Sequence, residues 1–338
     1  MRAQYEFAVG LGLTIEGDSA TLRQFDREYG AASAVSRIDA GVEVDFTGDT
    51  SDRSGATRVG GYKTMRWRTT LSAPTDAVIG ARIQVAGRPR GFARTLVQGY
   101  FIEPLLSVAA ARGDSVLLPA AAFRDGAGAI VVLGRSGSGK TSLSMHALAL
   151  GGPVFGDDQV IIDSAGACRS FARRLRLYPD LRERVPVAYA KLPRGTRVQL
   201  GVRRFVRAVS RGAIAPSLAV PISIFGQSSQ PDPAPITRVI LLERAVVPGD
   251  LRTEPATVAE AVSRALGLLR EQREHLLLAG GGPWREALVD TERQEEQLLE
   301  AAFKGASTRR IVVPSPLVGD AIGHVAEAVG LFAQPARH

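Results

Sequence analysis

Cysteine is almost absent: Cys168 is the only one in 338 residues. No intrachain disulfide and no cysteine metal site can form, so a reducing, cytoplasmic setting is expected. Histidine is nearly as scarce. His146, His275, His324 and His338 are far apart in the chain, and no histidine metal cluster is expected. Aromatic residues make up 6% of the chain, so the core should be built from Ala, Val, Leu and Ile. No apolar run reaches the roughly 18 residues needed to cross a bilayer. The stretch Met1–Phe7 lacks the apolar segment of a secretion signal. A soluble protein without membrane attachment is the expectation.

Charge of one sign is in excess. The formal net charge is +8 and the isoelectric point about 10.1. Nearly all of the positive charge is arginine, because the chain has only four lysines. The basic residues cluster between Arg169 and Arg211. No nucleic-acid motif or aromatic stacking platform accompanies them, so nucleic acid is not the expected partner. Two readings remain: a solvated basic face, or a docking surface for an anionic partner beside a bound nucleotide.

Length and patterning suggest two domains. Residues 1–95 alternate as short strands over Tyr5–Ile15, Val42–Phe46, Arg66–Leu71 and Ala77–Val85, with a helix over Ser19–Tyr29 and a polar loop over Gly48–Gly61. They read as an N-terminal α+β accessory domain. Residues 96–338 alternate strand and helix. A helical stretch ends at Arg112. Strands follow over Ser115–Phe123 and Ala129–Leu133, with a hairpin turn at Arg124-Asp125-Gly126. Further strands are expected at Val154-Phe155, Gln159–Asp163, Arg174–Leu177, Arg238–Leu242 and Ile311–Val313. Helices are expected over Thr257–Leu278, Trp284–Lys304 and Val318–Leu331, with Gly280-Gly281-Gly282 joining the first two. Residues 191–215 resist assignment, and 223–235 read as a mobile surface loop. The expected class is an α/β layer fold.

The most informative motif is Gly134-Arg135-Ser136-Gly137-Ser138-Gly139-Lys140-Thr141. It has the G-x-x-x-x-G-K-[ST] form of a phosphate loop, with an apolar strand before it and a helix, starting at Ser142, after it. Backbone N–H groups of Gly134, Ser136, Gly137, Ser138, Gly139, Lys140, Thr141 and Ser142 are candidates for cradling a nucleotide's phosphates. Lys140 would reach the outer phosphates, and the Thr141 hydroxyl would ligate Mg²⁺. With so few lysines, a chance Gly-Lys-Thr is a poor explanation. The expected ligands are ATP and Mg²⁺.

Asp157 and Asp158 follow Lys140 by one helix and a return strand. One carboxylate can accept the proton of an attacking hydroxyl, and the other can hold or orient the metal. Glu243, at the end of the later strand, is a competing metal-side carboxylate. Glu183 is a further candidate, and Arg176 could approach a transferred phosphate. The remaining histidines, including His146 on the helix after the loop, read as packed or surface residues.

Gly134–Thr141 and Gly156-Asp157-Asp158-Gln159-Val160 together resemble the catalytic domain of HPr kinase/phosphorylase. The closer resemblance is to the HPr-kinase-related kinases, including the peptide serine kinases of lasso peptide clusters. The segments Leu117–Phe123 and Phe101–Leu106 are similar to that family as well, and the likeness covers roughly residues 97–330. It implies a P-loop core of the PEP carboxykinase/HPr kinase type, with Lys140 on the phosphates and Thr141 on Mg²⁺. Asp157 would be the base for a serine hydroxyl, supported by Asp158, which is also the expected second metal ligand. A homo-oligomer is implied by the family's hexamers. Pro119 stands where the family has a histidine, and the family's later glycine-rich signature with its glutamate is not recognisable. The expected activity is phosphoryl transfer from ATP to a hydroxyl, with serine of a peptide or protein as acceptor. The alternatives are a kinase for an amino acid or sugar, and a nucleotide-binding regulatory protein that has lost its chemistry.

Overall fold

The computed structural model describes residues 1–8, 10–30, 32, 40–46, 58–62, 65–76, 78–87, 90–210, 217–227, 229–245, 250–314 and 321–331. Most of the loop expected over 48–61 lies outside them, as do the start of the final expected helix and residues 211–215 of the unassigned stretch. The described residues form a mixed α/β protein, as the patterning suggests. Two compact units result: residues 1–118, 161–165 and 266–301, and residues 119–160, 166–265 and 302–338.

The first unit contains β1 (Arg2–Ala8), β2 (Leu11–Glu16), α1 (Ser19–Tyr29), β3 (Ala40–Asp45), β4 (Arg58–Tyr62), β5 (Met65–Leu71), β6 (Val78–Ala86), α2 (Arg90–Val97), α3 (Glu103–Arg112) and β7 (Val116–Leu118). Its six-stranded sheet has the order β1-β2-β3-β6-β5-β4. β2, β3 and β6 run parallel at its centre, and β1, β5 and β4 add antiparallel. Alternation explains the sheet: in β5, Met65, Trp67, Thr69 and Leu71 are buried while Arg66 and Arg68 are exposed. α1 begins where Asp18 accepts a hydrogen bond from Thr21 N at 2.7 Å, a side-chain N-cap. It buries Leu22, Phe25 and Tyr29 at three- and four-residue spacing. α2 passes into α3 through one π turn, Gln98–Ile102.

The second unit contains β8 (Ala120–Asp125), β9 (Gly128–Leu133), α4 (Lys140–Ala149), β10 (Val154–Gly156), β11 (Val160–Ile162, at its border), β12 (Ala167–Ser170), β13 (Leu175–Leu177), α5 (Leu181–Arg184), α6 (Pro186–Lys191), α7 (Arg194–Val209), β14 (Leu218–Val220), β15 (Ala234–Arg244) and β16 (Arg252–Pro255). α8 (Val258–Phe303) contributes its two ends here, and β17 (Ser307–Val313) and α9 (Ala321–Val329) complete the unit. The segment expected as one strand over 115–123 is split at Pro119, which cannot donate to a ladder. β9 is buried along its whole length. It lies between antiparallel β8 and parallel β15, and β15 in turn pairs parallel with β17. Such a central strand must be apolar on both faces, and Ala129-Ile130-Val131-Val132-Leu133 is. One core cluster joins Ile130 and Val132 to Leu143 and Leu148 of α4, and to Ile322 and Val325 of α9.

α8 is two helices rather than one. Gly281 breaks it with φ 71° and ψ −151°, a backbone only glycine tolerates easily. Within the first unit the halves fold back on each other. Arg273 makes a buried fork with Glu295, with Nη1 to Oε2 at 2.8 Å, and its Nε donates to Ser107 Oγ at 2.9 Å. Residues 191–215, left open by the patterning, contain the whole of α7. The expected loop at 223–235 overlaps a 3₁₀ turn, Ile222–Phe225, and the start of β15, and holds Gln227, whose side chain hydrogen-bonds both N and O of Val154 at 2.9 and 3.0 Å.

Candidate functional site

The loop between β9 and α4 is built to turn tightly. Gly137 and Gly139 take φ of 82° and 114°, the left-handed region that side chains with a Cβ resist. Gly134 is needed for a different reason. A Cβ there would lie 2.5 Å from Ser138 Oγ and 2.7 Å from the Leu242 carbonyl oxygen. α4 starts at Lys140 with no side-chain cap, so no side chain occupies its first-turn amides. The helix dipole adds partial positive charge at the same place. Inside the loop Ser138 is 5% exposed, and its hydroxyl has no hydrogen-bond partner. Lys140 is buried, and its Nζ donates to the carbonyls of Gly134 and, at 3.4 Å, Arg135. Ser136 and Gly137 are exposed, Thr141 is half-buried and Ser142 is buried. The structure therefore gathers all the expected loop residues at one strand end.

Sheet register brings the acidic pair to the same edge. Ala120 of β8 pairs with Leu133 of β9, and Gly156 of β10 pairs with Ala122 of β8. β9 and β10 thus run in the same direction on either side of β8, and Gly134 and Asp157 follow their C-terminal ends. Two strand spacings separate the loop from the acids, about 10 Å. Pro119 immediately precedes β8, which places it level with Gly134.

The two aspartates have different surroundings. Asp157 is 6% exposed, whereas Asp158 is exposed and faces Arg173 Nη1 at 3.5 Å. Burial pushes the Asp157 carboxyl up from its ordinary 3.8 to about 7. The neighbouring Asp158 charge pushes the same way. Arg173 and the backbone N–H groups of Asp157 and Arg176 oppose the rise. The result is a carboxyl poised to exchange a proton near neutrality. The Tyr178 phenol is also raised, chiefly by burial and then by Asp158 and Asp157, with Arg173 and Arg176 opposing. Arg173 and Tyr178 thus belong to this cluster, although the arginine-rich pattern of the segment did not distinguish them. Arg176 was expected near it, and its backbone amide is there.

The competing carboxylates are engaged elsewhere. Glu243 lies on β15 beside the loop, but it pairs with Arg264 and with Arg310 at 3.8 Å. Glu183 pairs with Arg204. His146 is half-buried, and burial holds its imidazole below the ordinary range. Among the described residues no group of three or more His, Cys, Asp and Glu side chains is placed to hold a metal ion. Of the two expected metal ligands, Thr141 lies in the loop and Asp158 in the acidic pair, where it faces Arg173.

In comparison with known proteins, no family model and no curated protein matches the chain. No helix among the described residues is long and apolar enough to cross a membrane.

Proposed function

We propose that the protein is an ATP- and Mg²⁺-dependent kinase with a P-loop core of the HPr kinase type, transferring phosphate to a serine hydroxyl of a peptide or protein in the cytoplasm. The observation that carries this reading is one juxtaposition. An uncapped, glycine-turned helix start and a buried aspartate poised near pH 7 share one sheet edge.

The residues fit a nucleotide's phosphates. Ser138 has a buried hydroxyl without a partner, the α4 amides are free of side-chain caps, and Lys140 can exchange its loop carbonyls for phosphate oxygens. Mg²⁺, held by Thr141 and Asp158, would neutralise charge on the transferring group. Asp157 accepts the serine proton. Its high pKa makes it a stronger base than an ordinary carboxylate while leaving it largely ionised above pH 7. Arg173, 3.5 Å from Asp158, is placed to share the negative charge of the site. Catalysis here is positioning and charge neutralisation, as phosphoryl transfer requires.

The test is incubation with γ-labelled ATP, Mg²⁺ and a serine-containing peptide library, alongside free amino acids and sugars. Label in peptide supports the proposal, and label confined to a metabolite replaces the acceptor. Pro119 beside the loop favours a second reading, in which the protein binds nucleotide as a regulator. Nucleotide binding by calorimetry with no phosphorylated product from any acceptor would select it.

A further inference from the structure

α7 is folded inside out. Its 16 residues bury a single apolar side chain, Leu200. Val198, Val202, Phe205, Val206 and Val209 recur at helical spacing and form one stripe. They are 66, 58, 69, 38 and 68% exposed. The opposite side of the helix carries partly exposed arginines that bond the protein instead. Arg207 pairs with Asp180 at 3.2 Å and Arg204 pairs with Glu183. Arg203 Nε donates to the Ser217 carbonyl at 3.3 Å, and Arg197 donates to the carbonyls of Leu192 and Ala190 at 2.8 and 2.9 Å. A helix containing Gly195 and Gly201 gains little from propensity, and most helices in proteins rely on a buried apolar face. This one presents its apolar face to solvent, which marks a surface meant to be covered.

Charge narrows what covers it. Residues 180–210 hold eight basic side chains against two acidic ones. A second copy would set two such fields against each other. A bilayer is a poor match, since the ridge is valine but for Phe205 and lacks the Trp and Leu that interfacial helices bury. An acidic protein segment with an apolar centre matches both the ridge and the field. Position supports the same occupant. Asp180, which holds Arg207, is two residues from Tyr178, and Tyr178 lies in the field of Asp157 and Asp158.

We propose that α7 docks the acceptor protein through an acidic, apolar-centred segment, seating its serine toward the Asp157–Asp158 edge. This rests on the kinase reading for the identity of the partner, but docking itself is measurable without turnover.

The experiment uses the full chain and two fluorescein-labelled helical peptides of about five turns. Both carry a leucine stripe, flanked by glutamates in one and by lysines in the other. The expected result is acidic-peptide binding at least about tenfold tighter than basic-peptide binding. Raised salt should weaken it. Phe205→Asp and, separately, Val202→Asp should weaken it at least about tenfold, with circular dichroism and nucleotide affinity unchanged. Equal affinity for the two peptides, no binding of the acidic one, or variants that bind like the parent chain would overturn the inference. So would a dimer that Phe205→Asp converts to monomer, or Phe205-dependent flotation with phosphatidylserine vesicles. If the peptide docks as expected but the protein binds no nucleotide, the docking helix stands and the kinase reading falls.

Discussion

Asp157 is where a single residue carries the most consequence. Its buried carboxyl binds a proton in the folded chain up to about pH 7, while the unfolded chain releases it near 3.8. Between those values the folded state holds more protons than the unfolded state, so stability falls as pH rises through 7. Asp157→Asn removes that cost. It should stabilise the protein at pH 8 by something on the order of 2–4 kcal/mol, with the gain disappearing below pH 4. Thermal melts of both proteins across that range check this, and an unchanged or lowered melting temperature at pH 8 would contradict the assigned environment. Lys140 belongs to the other end of the proposed site. Lys140→Ala should weaken nucleotide binding at least about tenfold by calorimetry, because a charge-assisted contact to phosphate is lost. Circular dichroism should stay unchanged, since the Lys140 ammonium bonds carbonyls of the loop rather than the apolar core.

Elements show why some features could be read from the chain and others could not. Gly137 takes a positive φ with open space around a virtual Cβ, so the cost of a side chain there is conformational. Gly137→Val should cost about 1–2 kcal/mol and abolish nucleotide binding by reshaping the turn. Retained affinity would show that the loop does not need this backbone. The turn between β9 and α4 was legible because glycines at that spacing permit the positive φ angles of a tight strand-to-helix turn. α1 was legible to the residue, because an Asp cap and an apolar stripe agree. The strand over 115–123 was half right. Its apolar content was plain, but Pro119 interrupts it, and a break of one residue leaves the hydrophobic pattern nearly intact. α7 was missed because its apolar face is not a core face, so periodicity and composition disagreed. Arg173 and Tyr178 were missed because their significance comes from proximity in space to Asp157 and Asp158, which no local pattern reports. The α8 hairpin was legible from its glycines, but the Arg273–Glu295 fork was not. Removing one partner there strands a buried charge. Glu295→Ala should destabilise the protein by about 3–5 kcal/mol in urea unfolding, and a loss under 1 kcal/mol would mean the pair is not buried in solution.

At the scale of the whole molecule, the first unit draws on three separate stretches of chain. Removing residues 1–95 would take away β1 through β6 and uncover the side of α3 that packs on β2, β3 and β6. Val97, Phe101, Leu105 and Leu106, all buried, would be left without that cover. The truncated chain is expected to aggregate on size-exclusion chromatography. A monodisperse product would show that residues 96–338 fold alone. The two ends of the proposed mechanism lie in the second unit, where a glycine turn and an aspartate follow β9 and β10 on either side of β8. The most direct measurement is phosphoryl transfer from labelled ATP to a serine peptide by Asp157→Asn, with nucleotide affinity recorded in parallel. Affinity should stay close to that of the parent chain while transfer falls by roughly three orders of magnitude, in line with loss of a general base. Transfer near the parent rate would mean that Asp157 does not take the proton.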